Sequence, residues 1–365
     1  VAHGSRLVDL VQLRIEDFLA DRSSILRSIG ADLAPLDAFS KRFLSGGKRF
    51  RARFCYWGFE AIAGRSASNA EALSPIVSAA SALELFHAAA LVHDDIIDNS
   101  DTRRGAPSAH RLFERLHDDS GWAGSPVEFG RASAILLGDL LLGWSDELLD
   151  DGLDALPDRV SARRARAEFN RMRTEVTAGQ YLDILEERAW HTRDDAEQRA
   201  RAERVIVFKA AKYSVESPLA IGAAIAGASP AQLQALRDFG LPLGIAYQLR
   251  DDLLGVYGDP EVTGKPSGDD LREGKRTMLI AIARERLAPG PRNLLDELLG
   301  DPDLDAAQVQ MLQRTIEGCG AVDEVEALIG AWVAKATDVL ADAPIDEVAK
   351  AELGALAEDV ARRTS

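Results

Sequence analysis

Apolar residues recur every three and four positions along most of this chain, and runs of alternating β-branched residues are lacking. That period predicts helices over 5–29, 31–43, 48–64, 71–98, 107–117, 129–150, 158–189, 194–211, 213–227 and 230–255, with several more from 276 onward. Ala, Leu, Arg and Glu dominate, and Ala, Leu and Arg are among the strongest helix formers. Two stretches rich in Gly, Pro and small polar residues, 117–130 and 257–270, read as loops. No internal repeat or low-complexity tail stands out, and 194–204 reads as a solvated helix face. The expected fold is all-α.

Two of these helices end in a way that apolar patterning does not explain. The first, "SAASALELFHAAALVHDDIIDNSDTRRG" (78–105), is tightly apolar and then carries Asp94, Asp95, Asp98 and Asp101. Asp94 and Asp98 are i and i+4, so their carboxylates share a helix face. The second, "GIAYQLRDDLLGVYGD" (244–259), carries Asp251 and Asp252 behind Gln248. Clustered like charges require something positive. An oxygen-only donor set without His or Cys suits a hard cation, and Mg²⁺ takes one or two carboxylates together with substrate phosphates. A plain solvated helix end is the competing reading; it is weakened by the apolar residues before Asp94 and the arginines after Asp98.

A phosphorylated substrate would also need basic residues, and these occur in clusters. "SGGKRFRAR" (45–53) supplies Lys48, Arg49 and Arg51, and "DTRRG" supplies Arg103 and Arg104. "FKAAKY" supplies Lys209 and Lys212, and "GKPSGDDLREGKRT" supplies Lys265 and Lys275. Arginine grips phosphate through paired hydrogen bonds, and lysine acts as a point charge. The whole chain is acidic, with a formal net charge of −16. That argues against nucleic acid and against docking on anionic lipid. No apolar run is expected to span a bilayer, so stable membrane insertion is not expected. Cys55 and Cys319, far apart, make no disulfide framework, and a reduced cytoplasmic protein is the simplest reading. At 365 residues the length alone suggests about two domains.

In their order, "GGKRFR", "ELFHAAALVHDDIID…RRG", "GQYLDI", "FKAAKYS", "YQLRDDLLG" and "GKPSGDDLREGKRT" resemble the trans-isoprenyl diphosphate synthases of the polyprenyl synthetase family, over about 40–290. The resemblance implies one isoprenyl diphosphate synthase domain over 1–365: a bundle of antiparallel helices around a deep central cavity, of the isoprenoid synthase type, usually a homodimer. It implies that Asp94, Asp98 and Asp251 hold three Mg²⁺ on an allylic diphosphate (dimethylallyl, geranyl or farnesyl), supported by Asp95 and Asp252. Arg103, Lys209 and Lys265 would contact that diphosphate, with Lys275 a further substrate-binding candidate. Lys48, Arg51, His87 and Arg104 would bind isopentenyl diphosphate. Gln248 and the backbone carbonyls near Lys209 would flank the allylic cation. In the family a tunnel beside the first aspartate helix sets product length. Here Ala89 and Ala90 place the floor at Phe86, one turn or ~5.4 Å beyond Ala90, which favours a twenty-carbon product, geranylgeranyl diphosphate.

Gly255 stands where the second motif usually has a third aspartate, with Asp259 or Asp269 as possible helpers, and Lys209-Ala210 replaces Lys-Thr. His93 reads as a packing residue, Arg49 and Lys212 as surface charges, and Tyr213 and Tyr247 as core. "GDPEVTGKP" is no P-loop, since its glycine spacing is one too long and Pro266 replaces Ser/Thr. The competing functions are a farnesyl or longer-chain synthase, a class I terpene cyclase, a head-to-head synthase and a non-catalytic partner subunit. A cyclase would not need the "GGKRFR" and His87 signature, the second basic signature speaks against the head-to-head enzyme, and a silent subunit would be expected to lose one aspartate pair.

Overall fold

The structure is a computed structural model that describes residues 2–64, 70–259 and 267–362. In chain order the helices are α1 (Ala2–Ile29), α2 (Ala34–Leu44), α3 (Phe50–Ala63), α4 (Ala70–Ile97), α5 (Ala109–Ser120) and α6 (Pro126–Asp154). They continue with α7 (Arg159–Ala189), α8 (Gln198–Val205), a π-helical stretch (Ile206–Glu216), α9 (Ser217–Ile225) and α10 (Pro230–Tyr257). Then come α11 (Asp269–Glu273), α12 (Met278–Arg286), α13 (Pro289–Leu298), α14 (Ala306–Gly318), α15 (Ala321–Ala341) and α16 (Glu347–Arg362). Among the described residues the extended structure is one small antiparallel pair, β1 (Thr102–Arg103) and β2 (Ala106–Pro107). The expected all-α class holds.

Two compact units make up the chain. Val1–Ala167 with Pro218–Ala228 form the first, and Glu168–Ser217 with Ser229–Ser365 form the second. In the first, α4 packs against α1, α3 and α6. Ile76, Ala79, Ala80, Ala82, Leu83, Leu85 and Val92 on α4 are all fully buried, so this helix is covered on every side. Leu73–Ile97 is therefore long and apolar enough to cross a membrane, which corrects the expectation that no run reaches that length. The hydrophobicity serves a core position, since 83% of the stretch is buried within the protein. In the second unit α10 is central, packed against the π-helical stretch, α15 and α16. Phe239, Leu243, Leu249 and Val256 are its buried side.

Two local expectations change. The loop expected over 117–130 shrinks to the residues between Ser120 and Pro126. Ser125 accepts a hydrogen bond from the Glu128 amide at 3.3 Å, and Pro126 needs no amide partner in the first turn, so α6 starts early. The break expected at residue 212 is absent. Helix runs unbroken from Gln198 to Ile225, and Ile206–Glu216 widens to π geometry instead. Such widening is rare and is found most often at functional positions.

Candidate active site

The end of α4 is built by its own chain. The Asp98 amide donates to the Asp94 carbonyl at 2.8 Å, so the helical turn continues and the two half-buried carboxylates lie one turn apart. Asn99 then turns left-handed at φ 56°, and the Ser100 amide closes back on the Asp95 carbonyl at 2.9 Å. Carboxylates here sit at the negative end of the helix dipole, which adds to their need for a cation. The β1–β2 hairpin supplies one. Arg104 and Gly105, at φ 54° and 71°, make a tight two-residue turn of the mirror-image type. That turn folds Arg103 back so that its Nε donates to Asp95 Oδ1 at 2.9 Å, with a second hydrogen bond from Nη2. Asp95 itself is fully buried, and Arg103 Nη2 lies 3.8 Å from Asp94 Oδ2. Asp101 is drawn away to Arg111 at 2.7 Å.

The basic residues of the same unit gather around His87, half-buried about two turns before Asp94. Burial, and then Arg51, Arg104, Arg103 and Arg49 in turn, hold this imidazole well below its ordinary pKa, so it is neutral at pH 7. Lys48 is exposed at the start of the α2–α3 turn's basic run. Gly47, at φ 94°, lies under Arg104: a Cβ there would be 3.5 Å from the Arg104 guanidinium. Arg49 corrects the surface-charge expectation, being only 5% exposed. Phe86 and Ala89 are buried on α4, and Ala90 is half-buried. His93 packs on α6, its Nε2 3.3 Å from the Ile135 carbonyl.

In the second unit two lysines, Lys209 and Lys275, converge on a residue that the sequence pattern did not single out. Asp183 on α7 accepts from Lys209 Nζ at 2.5 Å and from Lys275 Nζ at 3.5 Å, while Lys275 also donates to Glu187 at 2.9 Å. Asp183 and Glu187 are i and i+4, the spacing of Asp94 and Asp98, and "GQYLDI" contains the first; that spacing was the available signal. Two close glycine approaches position the π-helical stretch that carries Lys209. A Cβ on Gly179 of α7 would come 2.7 Å from Lys209 Cα, and one on Gly244 of α10 would come 2.7 Å from Ala211 Cα. Lys212 is no plain surface charge either, since it donates to Glu175 at 2.8 Å and sits 4.9 Å from the Phe208 ring centre. Tyr213 is buried, whereas Tyr247 is partly exposed.

On α10, Asp251 is exposed and Asp252 is buried. Gln248 donates to Asp252 Oδ1 at 2.8 Å. Burial, with Asp251 and Asp183 adding to it, raises the Asp252 carboxyl to about 7 against that hydrogen bond. The missing third aspartate also has a spatial account. A Cβ at Gly255 would lie 2.8 Å from Asp270 Oδ1 and nearer still to Oδ2. The Asp270 carboxylate therefore fills the place of a side chain at 255, whereas Asp259 and Asp269 are the helpers expected from sequence. Lys265 and Pro266 lie outside the described residues. Among the described residues no three His, Cys, Asp or Glu gather into a ready-made metal cage. The donor set nevertheless fits Mg²⁺, which needs few protein carboxylates when a substrate diphosphate completes its shell.

A helical fold in which two long helices carry aspartate pairs in their last turns, with cationic residues nearby, is that of the isoprenoid synthase type. The chain belongs to the polyprenyl synthetase family, whose model matches residues 34–316, and it is a prenyltransferase. A geranylfarnesyl diphosphate synthase of Aeropyrum pernix is 30% identical, covering 96% of this chain and 99% of its own. A geranylgeranyl diphosphate synthase of Sulfolobus acidocaldarius is 32% identical, covering 76% of each. Among solved structures, a Corynebacterium glutamicum geranylgeranyl pyrophosphate synthase complexed with isoprenyl diphosphate and magnesium superposes with a TM-score of 0.92. It is 38% identical and covers 99% of both chains.

Proposed function

We propose that this prenyltransferase joins isopentenyl diphosphate head-to-tail to an allylic diphosphate (dimethylallyl, geranyl or farnesyl) and yields geranylgeranyl diphosphate. The observation that carries this reading is the presence of both aspartate pairs together with the arginine cluster around His87. Asp94, Asp98 and Asp251 would hold Mg²⁺, three ions in this reading, together with the allylic diphosphate. Bound Mg²⁺ neutralises the charge that builds on the departing pyrophosphate. Asp95 supports this through Arg103, whose guanidinium also reaches towards the diphosphate, and Asp252 does so through Gln248. Lys209, Lys265 and Lys275 add positive charge, and Asp183 orients two of those lysines. Lys48, Arg51, His87 and Arg104 hold isopentenyl diphosphate; a neutral His87 donates one N–H without adding charge. As the allylic C–O bond breaks, the isopentenyl double bond attacks the cation, and the departed pyrophosphate takes the proton. Gln248 and the carbonyls beside Lys209 flank the cation, while apolar walls exclude water.

Incubation with dimethylallyl and isopentenyl diphosphates and Mg²⁺, followed by mass analysis, tests the reading directly. A cyclic hydrocarbon, or no product, would overturn it. Product length is tested on α4: Ala89→Tyr or Ala90→Phe is expected to shift product toward farnesyl diphosphate, and Phe86→Ala to lengthen it. A geranylfarnesyl product is the second reading, favoured by the Aeropyrum pernix relative's coverage of nearly the whole chain. We further read the chain as one catalytic domain, supported by a family match that runs through both compact units. A homodimer fits the exposed Ile135 and Leu136 of α6, and light scattering tests it.

A further inference from the structure

From Ile76 to Val92, α4 contains one carboxylate, Glu84, and it is only 6% exposed. A carboxylate buried in an apolar helix is costly unless paired and hydrogen-bonded. Its partners come from the basic loop. Glu84 Oε2 accepts from Arg49 Nη1 at 3.3 Å, and Glu84 Oε1 accepts from the Ala52 amide at 3.2 Å. That amide is one of the first of α3, where no helical carbonyl is available to it. Arg49 completes the set by donating Nη2 to the Gln12 side chain of α1 at 2.6 Å and to the Leu44 carbonyl at the end of α2. One buried ion pair thus ties α1, the end of α2, the start of α3 and α4 together.

Arg49 has φ 50°, an unusual conformation for a side chain of its size, and such strain persists only where surrounding contacts hold it. The strained residue lies between Lys48 and Arg51. Glu84 lies three residues before His87 on the same helix face, and it is the carboxylate that acts favourably on Arg104. We propose that the Glu84–Arg49 pair positions the pocket for isopentenyl diphosphate, by fixing the loop that carries Lys48 and Arg51 relative to His87. Neither residue touches substrate. The inference rests on the assignment of Lys48, Arg51, His87 and Arg104 to that diphosphate.

Steady-state kinetics with each substrate varied separately test it in Arg51→Ala, Glu84→Gln and Gln12→Ala, alongside thermal unfolding. Glu84→Gln is expected to raise KM for isopentenyl diphosphate about tenfold or more, because a displaced anchor loses its alignment. KM for the allylic substrate and kcat are expected to stay within about twofold, as for a contact made equally in ground and transition states. Gln12→Ala, which leaves the ion pair in place, is expected to shift KM the same way by less and carries the test if Glu84→Gln does not fold. If Arg51→Ala leaves KM for isopentenyl diphosphate unchanged, the pocket assignment fails and this inference with it. If Arg51→Ala raises that KM while Glu84→Gln and Gln12→Ala do not, or change both KM values equally, the pocket stands and the positioning role is overturned.

Discussion

The ends of α4 and α10 carry the same short pattern, an aspartate pair after an apolar run, and their surroundings differ. In both, the second aspartate is buried, Asp95 fully and Asp252 at 5% exposure. Asp95 meets a guanidinium delivered by a hairpin eight residues on. Asp252 meets an amide, Gln248, from one turn earlier on its own helix, and its carboxyl is pushed up to about 7. The lysines of that unit converge on Asp183 instead. Identical residue pairs therefore have different electrostatics because Asp95 has a cation local in sequence, whereas Lys209 and Lys275 hydrogen-bond to Asp183 rather than to Asp252.

The sharpest test of the comparison removes an outward-facing carboxylate rather than a buried one. Asp94→Ala is expected to lower turnover on the order of 10³-fold, the scale of losing one electrostatic contact to the transition state, with the thermal midpoint unchanged. Near-normal activity at saturating Mg²⁺ would break the metal assignment. Stability separates the inward pair. Asp95→Asn removes the carboxylate that accepts two hydrogen bonds from the half-buried Arg103 and is expected to cost about 2 kcal/mol in urea unfolding of the metal-free protein. Asp252→Asn keeps a hydrogen-bonding group where charge was already disfavoured and is expected to cost less than about 1 kcal/mol. Equal losses would mean that the two pairs are electrostatically alike after all.

Smaller effects sharpen the picture. Gly255→Ala forces the Asp270 carboxylate to move and is expected to cost about 1–2 kcal/mol, with Asp270→Ala relieving part of it when combined. Additive losses in that double-mutant cycle would show that the two positions do not compete for one space. His87 has its pKa held below 6.5 in the folded protein, so the unfolded chain binds the proton more readily. Its contribution to stability is complete above pH 6.5 and is lost as pH falls below that value. His87→Gln is expected to flatten that slope in unfolding measured from pH 7.5 to 5. An unchanged slope would place the titration elsewhere.

Sequence alone determined the features that depend on neighbours within a turn or two. The 3.6-residue period placed most helices, and the i, i+4 rule put Asp94 and Asp98 on one face. Motif order was specific enough to indicate the family and to draw Lys48, Arg51 and His87 into one candidate pocket. Three features were decided only by tertiary contacts. Arg49 reads as one more surface cation until Glu84, thirty-five residues away, is found against it. Asp183 gains significance only when Lys209 and Lys275 reach it. The vacancy at Gly255 acquires an occupant only when α11 brings Asp270 alongside α10. The physical reason is common to all three. A charge in a folded protein takes its character from desolvation and from its partners, and both depend on which helices pack together rather than on which residues adjoin it in the chain.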